Sequence, residues 1–349
     1  MTMTKVAALL TCVVMGCATP NEAPSDTQTP IDAVSSDATL GDTSPLDTGP
    51  SDVSADDTEP TPQDTSDTQA PPEDTSADLF APDTTPPPDT TPPPPAPTLY
   101  RKGDLLSPVT PYVRERWLAI AASAPELQDD VFMKVGASST VSSRNLKCFA
   151  GDDVVLDVYA DLEETRLFFL AGDAAGTSPY ERKTAAAKSG MSAGWAISGD
   201  PSPIEQEFAA LSPRYAFVHY GTNDMGLGAT KASALWKFSD NMLSLVDQLL
   251  AEGVIPALFA IAARGDYVSS DRWVDTYNAV IRGIAQARQI PFVDVHTAID
   301  DLEGHGLASD GIHLNAYKAG GKTKACVFTP EGLADGVNVR NLISLALME

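Results

Sequence analysis

The sequence predicts an α/β domain built on a parallel sheet covered on both faces and preceded by a disordered stalk. Three observations predict it. Short apolar runs recur along the second half of the chain, and amphipathic helix patterns lie between them. Before about Tyr100 the composition is of another kind, rich in Asp, Thr and Pro. Apolar strands without polar alternation, spaced by helices, are what a sheet buried on both sides requires.

The elements follow in order. "VFMKVG" (131–136) reads as a buried strand, with Lys134 a strand residue whose head reaches solvent. "YAFVHYG" (215–221) is a second strand. It leads into the helix pattern "ALWKFSDNMLSLVDQLLAEG", which stops at Gly253, a residue suited to a helix end. "VIPALFAIAA" (254–263) is the next strand, followed by a helix through "WVDTYNAVIRGIAQARQ". "IPFVDVH" (290–296) is the last strand and "NVRNLISLALM" the final helix. In open sheets of this kind, ligands bind beyond the carboxyl ends of the strands.

Ahead of the domain lie two other segments. Residues 1–17, "MTMTKVAALLTCVVMGC", hold one Lys and an apolar run too short to span a bilayer, the layout of an export signal. The ending "VVMGC" resembles a bacterial lipobox, which implies a lipid on Cys17, export, and anchoring to the cell envelope at the outer membrane or cell surface. A plain signal peptide cut nearby is the alternative. Residues 18–98 carry 17 acidic side chains and no Lys or Arg, a large part of the net charge of −25 over 349 residues. So few large apolar residues cannot offset the entropy of ordering, so the segment reads as a disordered spacer. That balance argues against nucleic acid as a partner, because neutralising phosphates takes Lys and Arg.

The domain, 99–349, keeps two of the four cysteines, Cys148 and Cys326. In an exported protein these read as a disulfide, with two separate buried thiols as the alternative. Neither a CxxC nor an HExxH spacing occurs, which speaks against a metal site.

Three polar motifs fall where strands or loops reach the ligand-binding rim. Ser138 follows the first strand in "VGASST", Asn223 and Asp224 follow the second in "YGTND", and Asp310 and His313 lie in "SDGIHLN". Between the first two is "KSGMSAGW", with Gly190 and Gly194. A serine hydroxyl needs a base to take its proton, and a neutral imidazole is the usual one. A carboxylate three residues away can hold that imidazole in one tautomer. Backbone amides and the Asn223 side chain are candidate donors to an oxyanion. The other histidines read differently. His219 is a core or sheet-edge residue, His296 has no partner pattern, and His305 is placed to line a substrate mouth.

On these blocks the sequence resembles the SGNH hydrolases, the GDSL esterase/lipase superfamily, over about residues 130–348. "YGTND" matches its Gly-x-Asn-Asp block and "SDGIHLN" its Asp-x-x-His block. "VGASST" matches the nucleophile block in part, because Ala137 stands where the family has an Asp that supports the turn. The resemblance implies a flavodoxin-like three-layer α/β/α sandwich, no cofactor, and hydrolysis of esters. It implies Ser138 as nucleophile, His313 as base and Asp310 as its partner. The oxyanion donors would be Ser138, Gly190 (Gly194 as fallback) and Asn223. The expected substrate is an acyl ester, acetyl first, of an extracellular polysaccharide or lipid. A non-catalytic binding protein on the same fold is the rival, and Ala137 is the feature in its favour.

Overall fold

The computed structural model describes residues 96–349. The signal, Cys17 and nearly all of the 18–98 stalk lie outside the described residues. Within them the order is α1 (Pro111–Ser123), β1 (Gln128–Gly136), α2 (Ser138–Val141), α3 (Glu163–Ala171), α4 (Pro203–Leu211), β2 (Pro213–His219), α5 (Lys231–Ala251), β3 (Ile255–Phe259), α6 (Val274–Arg288), β4 (Phe292–Val293) and α7 (Gly336–Met348). The four strands pair in parallel in the order β1-β2-β3-β4. This is the flavodoxin-like three-layer α/β/α sandwich that the resemblance implies.

Strand alternation distributes the two cores. Val131, Met133 and Val135 of β1 pack with Ala216 and Val218 of β2 against α1, α4, α5 and α6. Phe132, Phe217, Ala257 and Phe259 point the other way, against α3 and α7. Successive strand side chains face opposite sides, so both faces are apolar and no strand face is left for water.

That leaves Lys134 in an unexpected place. Its side chain falls on the Phe132 side, is only 5% exposed, and donates from Nζ to the Tyr180 carbonyl at 2.9 Å. The solvated head expected from sequence is therefore wrong: a polar residue in mid-strand reaches water only if one sheet face is open. The strand at 290–296 is also shorter than its apolar run. Only Phe292 and Val293 pair with β3, and Asp294 then caps the turn that follows by accepting from the Thr297 amide at 3.0 Å.

Local signals set the helix starts. Ser202 and Glu205 form a reciprocal capping box ahead of α4, with Pro203 at its first position. Thr230 and Ser233 do the same for α5. At the front of the domain the backbone of Thr98 exchanges hydrogen bonds with the Gln289 side chain at the end of α6. A Cys148–Cys326 disulfide joins the segment after α2 to the loop before α7.

Candidate active site

Ser138 opens α2, one residue beyond Ala137 and two beyond the end of β1. Gly136 makes the turn fit: a Cβ there would collide with Thr140 Oγ1 and lie 2.9 Å from the His219 carbonyl. At the first helical position the Ser138 amide has no intrahelical acceptor, so it is free to serve a ligand. The hydroxyl points at His313, with Ser138 Oγ 2.8 Å from Nε2.

The loop 309–315 supplies its own order. Asp310 Oδ1 accepts from the Ile312 and His313 amides, both at 2.9 Å, and Oδ2 lies 2.7 Å from His313 Nδ1. The His313 side chain and those two amides hold the Asp310 carboxyl down at about 2. An acceptor at Nδ1 fixes the proton there and leaves Nε2 as the basic nitrogen facing the serine. The backbone is braced from behind, where Gly265 donates to the Gly311 carbonyl at 2.8 Å.

Asn223 and Asp224 come from the loop after β2 and reach back to the glycine segment. Asn223 Nδ2 donates to the Met191 carbonyl at 3.0 Å. Asp224 is buried, and accepts from Ala193 and Gly221 amides at 3.0 and 3.1 Å. Burial pushes its carboxyl up to about 6. Its side chain ties the loop after β2 to the glycine segment. Arg264 steadies the same loop, donating to the Thr222 carbonyl while paired with Asp266.

The two glycines differ. Gly190 has φ +78° with open space where a side chain would be. It lies between Lys188, whose amide donates to the Gly136 carbonyl, and Met191, which Asn223 holds. Gly194 sits in the one-turn helix Ala193–Ala196 and packs against Asn241 of α5, its missing Cβ 2.7 Å from Nδ2. A small open cleft runs from Ala137 and Ser138 past Gly221 to Asn223 and Ile312.

Of the other histidines, His305 Nδ1 bonds the Asp300 carbonyl and carboxylate and shares no contact with the Ser138 group. His219 lines the cleft, and desolvation with the nearby Arg340 charge pulls its imidazole down to about 3. Among the described residues, no group of three or more His, Cys, Asp or Glu side chains is placed to hold a metal ion, and no helix is long and apolar enough to cross a membrane.

Residues 168–317 match the model of the GDSL-like lipase/acylhydrolase family. That match supports the SGNH hydrolase superfamily for this chain. The matched span holds Asn223, Asp310 and His313 but begins after Ser138, which the 2.8 Å bond to His313 joins to it. The same match supports a hydrolase acting on esters. A GDSL-like lipase of Bacteroides thetaiotaomicron is 15% identical, with 66% of this chain and 96% of that one covered and a TM-score of 0.39. A catalytic mutant of an acetylxylan esterase from Geobacillus stearothermophilus is 14% identical over 62% and 93%, also at 0.39. A psychrotrophic esterase of Pseudoalteromonas is 16% identical over 53% and 88%, at 0.35. No curated protein matches the sequence.

Proposed function

We propose that this SGNH hydrolase is an exported serine esterase, tethered to the cell envelope through Cys17 on the 18–98 stalk, that removes short acyl groups from extracellular glycans. The observation that carries the reading is the continuous line from Ser138 Oγ through both His313 nitrogens to Asp310, with bonds of 2.8 and 2.7 Å.

Ser138 Oγ attacks the acyl carbonyl carbon while its proton passes to His313 Nε2. Asp310 keeps the ring oriented and stabilises the imidazolium. The oxygen that gains negative charge is met by the Ser138 and Gly190 amides and by the second Asn223 Nδ2 hydrogen, the first being committed to Met191. His313 returns the proton to the leaving alcohol, and a water, activated by the same nitrogen, releases the acid and restores Ser138.

The form of the site favours a small acyl group on a bulky alcohol. Its cleft is walled by short residues such as Ala137, Gly221 and Thr222. Asp310 and His313 have side chains 50% and 42% exposed, so the alcohol half has room outside. An acetylated polysaccharide fits that description, and a stalked, lipid-anchored enzyme would meet one outside the cell.

The test is to assay the full-length protein and its Ser138→Ala variant on an activated acetyl ester and with a serine-directed phosphonate. Hydrolysis and labelling are expected in the first and absent in the second. Turnover that survives Ser138→Ala would overturn the mechanism.

A further inference from the structure

Behind the nucleophile turn, between the sheet and α7, lies a second space. Lys134, Thr140, Asn145, His219 and Arg340 line it together with the apolar rings of β2 and β3. The centre of a water-sized sphere has about 20 Å³ to move in there, room for one small guest.

The charge around it is one-sided. Arg340 is 3% exposed, its Nε has no hydrogen-bond partner, and Nη1 makes one long bond, 3.4 Å to the Ser139 carbonyl. Lys134 has the Tyr180 carbonyl alone. Neither forms an ion pair among the described residues. The acidic group that acts most on Lys134 is Glu207, already committed to a two-pronged pair with Arg182 and to the Ala185 amide.

The fold knows how to satisfy a buried guanidinium. Arg214 is equally buried, yet it meets the Asp129 carboxylate and four backbone carbonyls. Two buried cations without a counter-charge are unfavourable, and a water molecule would satisfy Nε but not the charge.

We infer that this cavity is a binding site for one halide-sized monovalent anion, held between Lys134 and Arg340 with the Thr140 hydroxyl beside it. The small volume, narrowed by Leu146, Phe217 and Phe259, excludes a phosphate or a substrate carboxylate with its chain. Asn145 and His219 are only half-buried, which leaves the ion a way in. His219 lines both this cavity and the catalytic cleft, and Arg340 holds the carbonyl next to Ser138, so the ion would stiffen the turn that carries the nucleophile. The inference does not depend on the esterase reading.

Thermal unfolding of the full-length protein at fixed ionic strength, with gluconate replaced stepwise by chloride or bromide, tests it. A ligand of the native state raises Tm along a saturation curve. A rise of a few degrees is expected, and Lys134→Met, which suits the apolar face, should abolish the halide dependence. Identical Tm in gluconate, chloride and bromide would overturn the site, as would an equal halide response in the variant. Should Lys134→Met fail to fold, bromide soaked into wild-type crystals decides. An anomalous peak between Lys134 Nζ and Arg340 Nε supports the inference, and its absence there refutes it.

Discussion

Asp224 Oδ1 accepts the backbone N–H of Ala193, 31 residues earlier in the chain, at 3.0 Å. This one carboxylate joins the loop carrying Asn223 to the segment carrying Gly190, while its other oxygen closes its own turn on Gly221. Its cost is legible in its titration. The folded carboxyl sits at about 6 because burial disfavours its charge, against an ordinary value near 4. Between about pH 4 and 6 the native state therefore binds more protons than the unfolded one, and stability declines as pH rises through that window. The penalty, about 3 kcal/mol, is complete above it. Asp224→Asn should lack this decline in urea unfolding midpoints, and should lower kcat about tenfold by freeing one of the two amides. Parallel stability profiles for wild type and variant from pH 4 to 6 would refute the argument.

Asn223 does two things with one amide group. One hydrogen holds Met191, and in the proposed mechanism the other meets the substrate oxygen. Asn223→Ala should cost about 10²–10³ in kcat with little change in KM, the scale of losing one oxyanion donor. Steady-state kinetics on an acetyl ester would measure it, and unchanged kcat would remove Asn223 from the site.

Asp310→Asn keeps the shape of the loop but reverses the preference at His313 Nδ1. A loss of about 10⁴ in kcat is expected, the scale known for such a tautomer error. The wild-type carboxyl titrates at about 2, so it stays ionised through the working range. The acid limb of the pH–rate profile consequently does not belong to Asp310, and a limb whose midpoint tracked an Asp310 titration would contradict this.

What could be read from sequence depended on how local each feature is. Asp310 and His313 meet within one loop, so their spacing suffices. Ser138 and Asn223 each follow a strand directly, and a parallel sheet brings strand ends to one rim. Lys134 could not be read correctly, because its carbonyl partner on Tyr180 and the α7 residues that share its cavity lie far along the chain. The reach of Asp224 to Ala193 is hidden for the same reason, as is the choice between Gly190 and Gly194. Only the packing of Gly194 on Asn241 tells the two glycines apart.

The Cys148–Cys326 bridge closes a separation of 178 residues and pins the segment after α2 beside α7. Replacing both cysteines by serine should remove about 2–5 kcal/mol of stability. The Ser138–His313 pair involves neither cysteine, so kcat at low temperature should persist. Denaturant unfolding would measure the first and an ester assay the second. An unchanged unfolding midpoint would mean that the bridge contributes nothing.

Gly136→Ala tests how closely the nucleophile turn is fitted to its neighbour. The added methyl would meet three atoms, the Thr140 hydroxyl, the Thr140 Cβ and the His219 carbonyl. The hydroxyl can rotate away. The carbonyl cannot, because His219 is the strand partner of Gly136 in the β1–β2 register. The turn must then lift, at about 1–3 kcal/mol of stability, the usual scale of overpacking. Ser138 moves with it, and kcat should fall by more than tenfold while the protein still folds. Adding Thr140→Ala to Gly136→Ala removes the hydroxyl but leaves the residue 140 Cβ and the carbonyl, so the double variant should recover little activity. Full recovery would show that the hydroxyl, and not the β2 backbone, sets the position of Ser138.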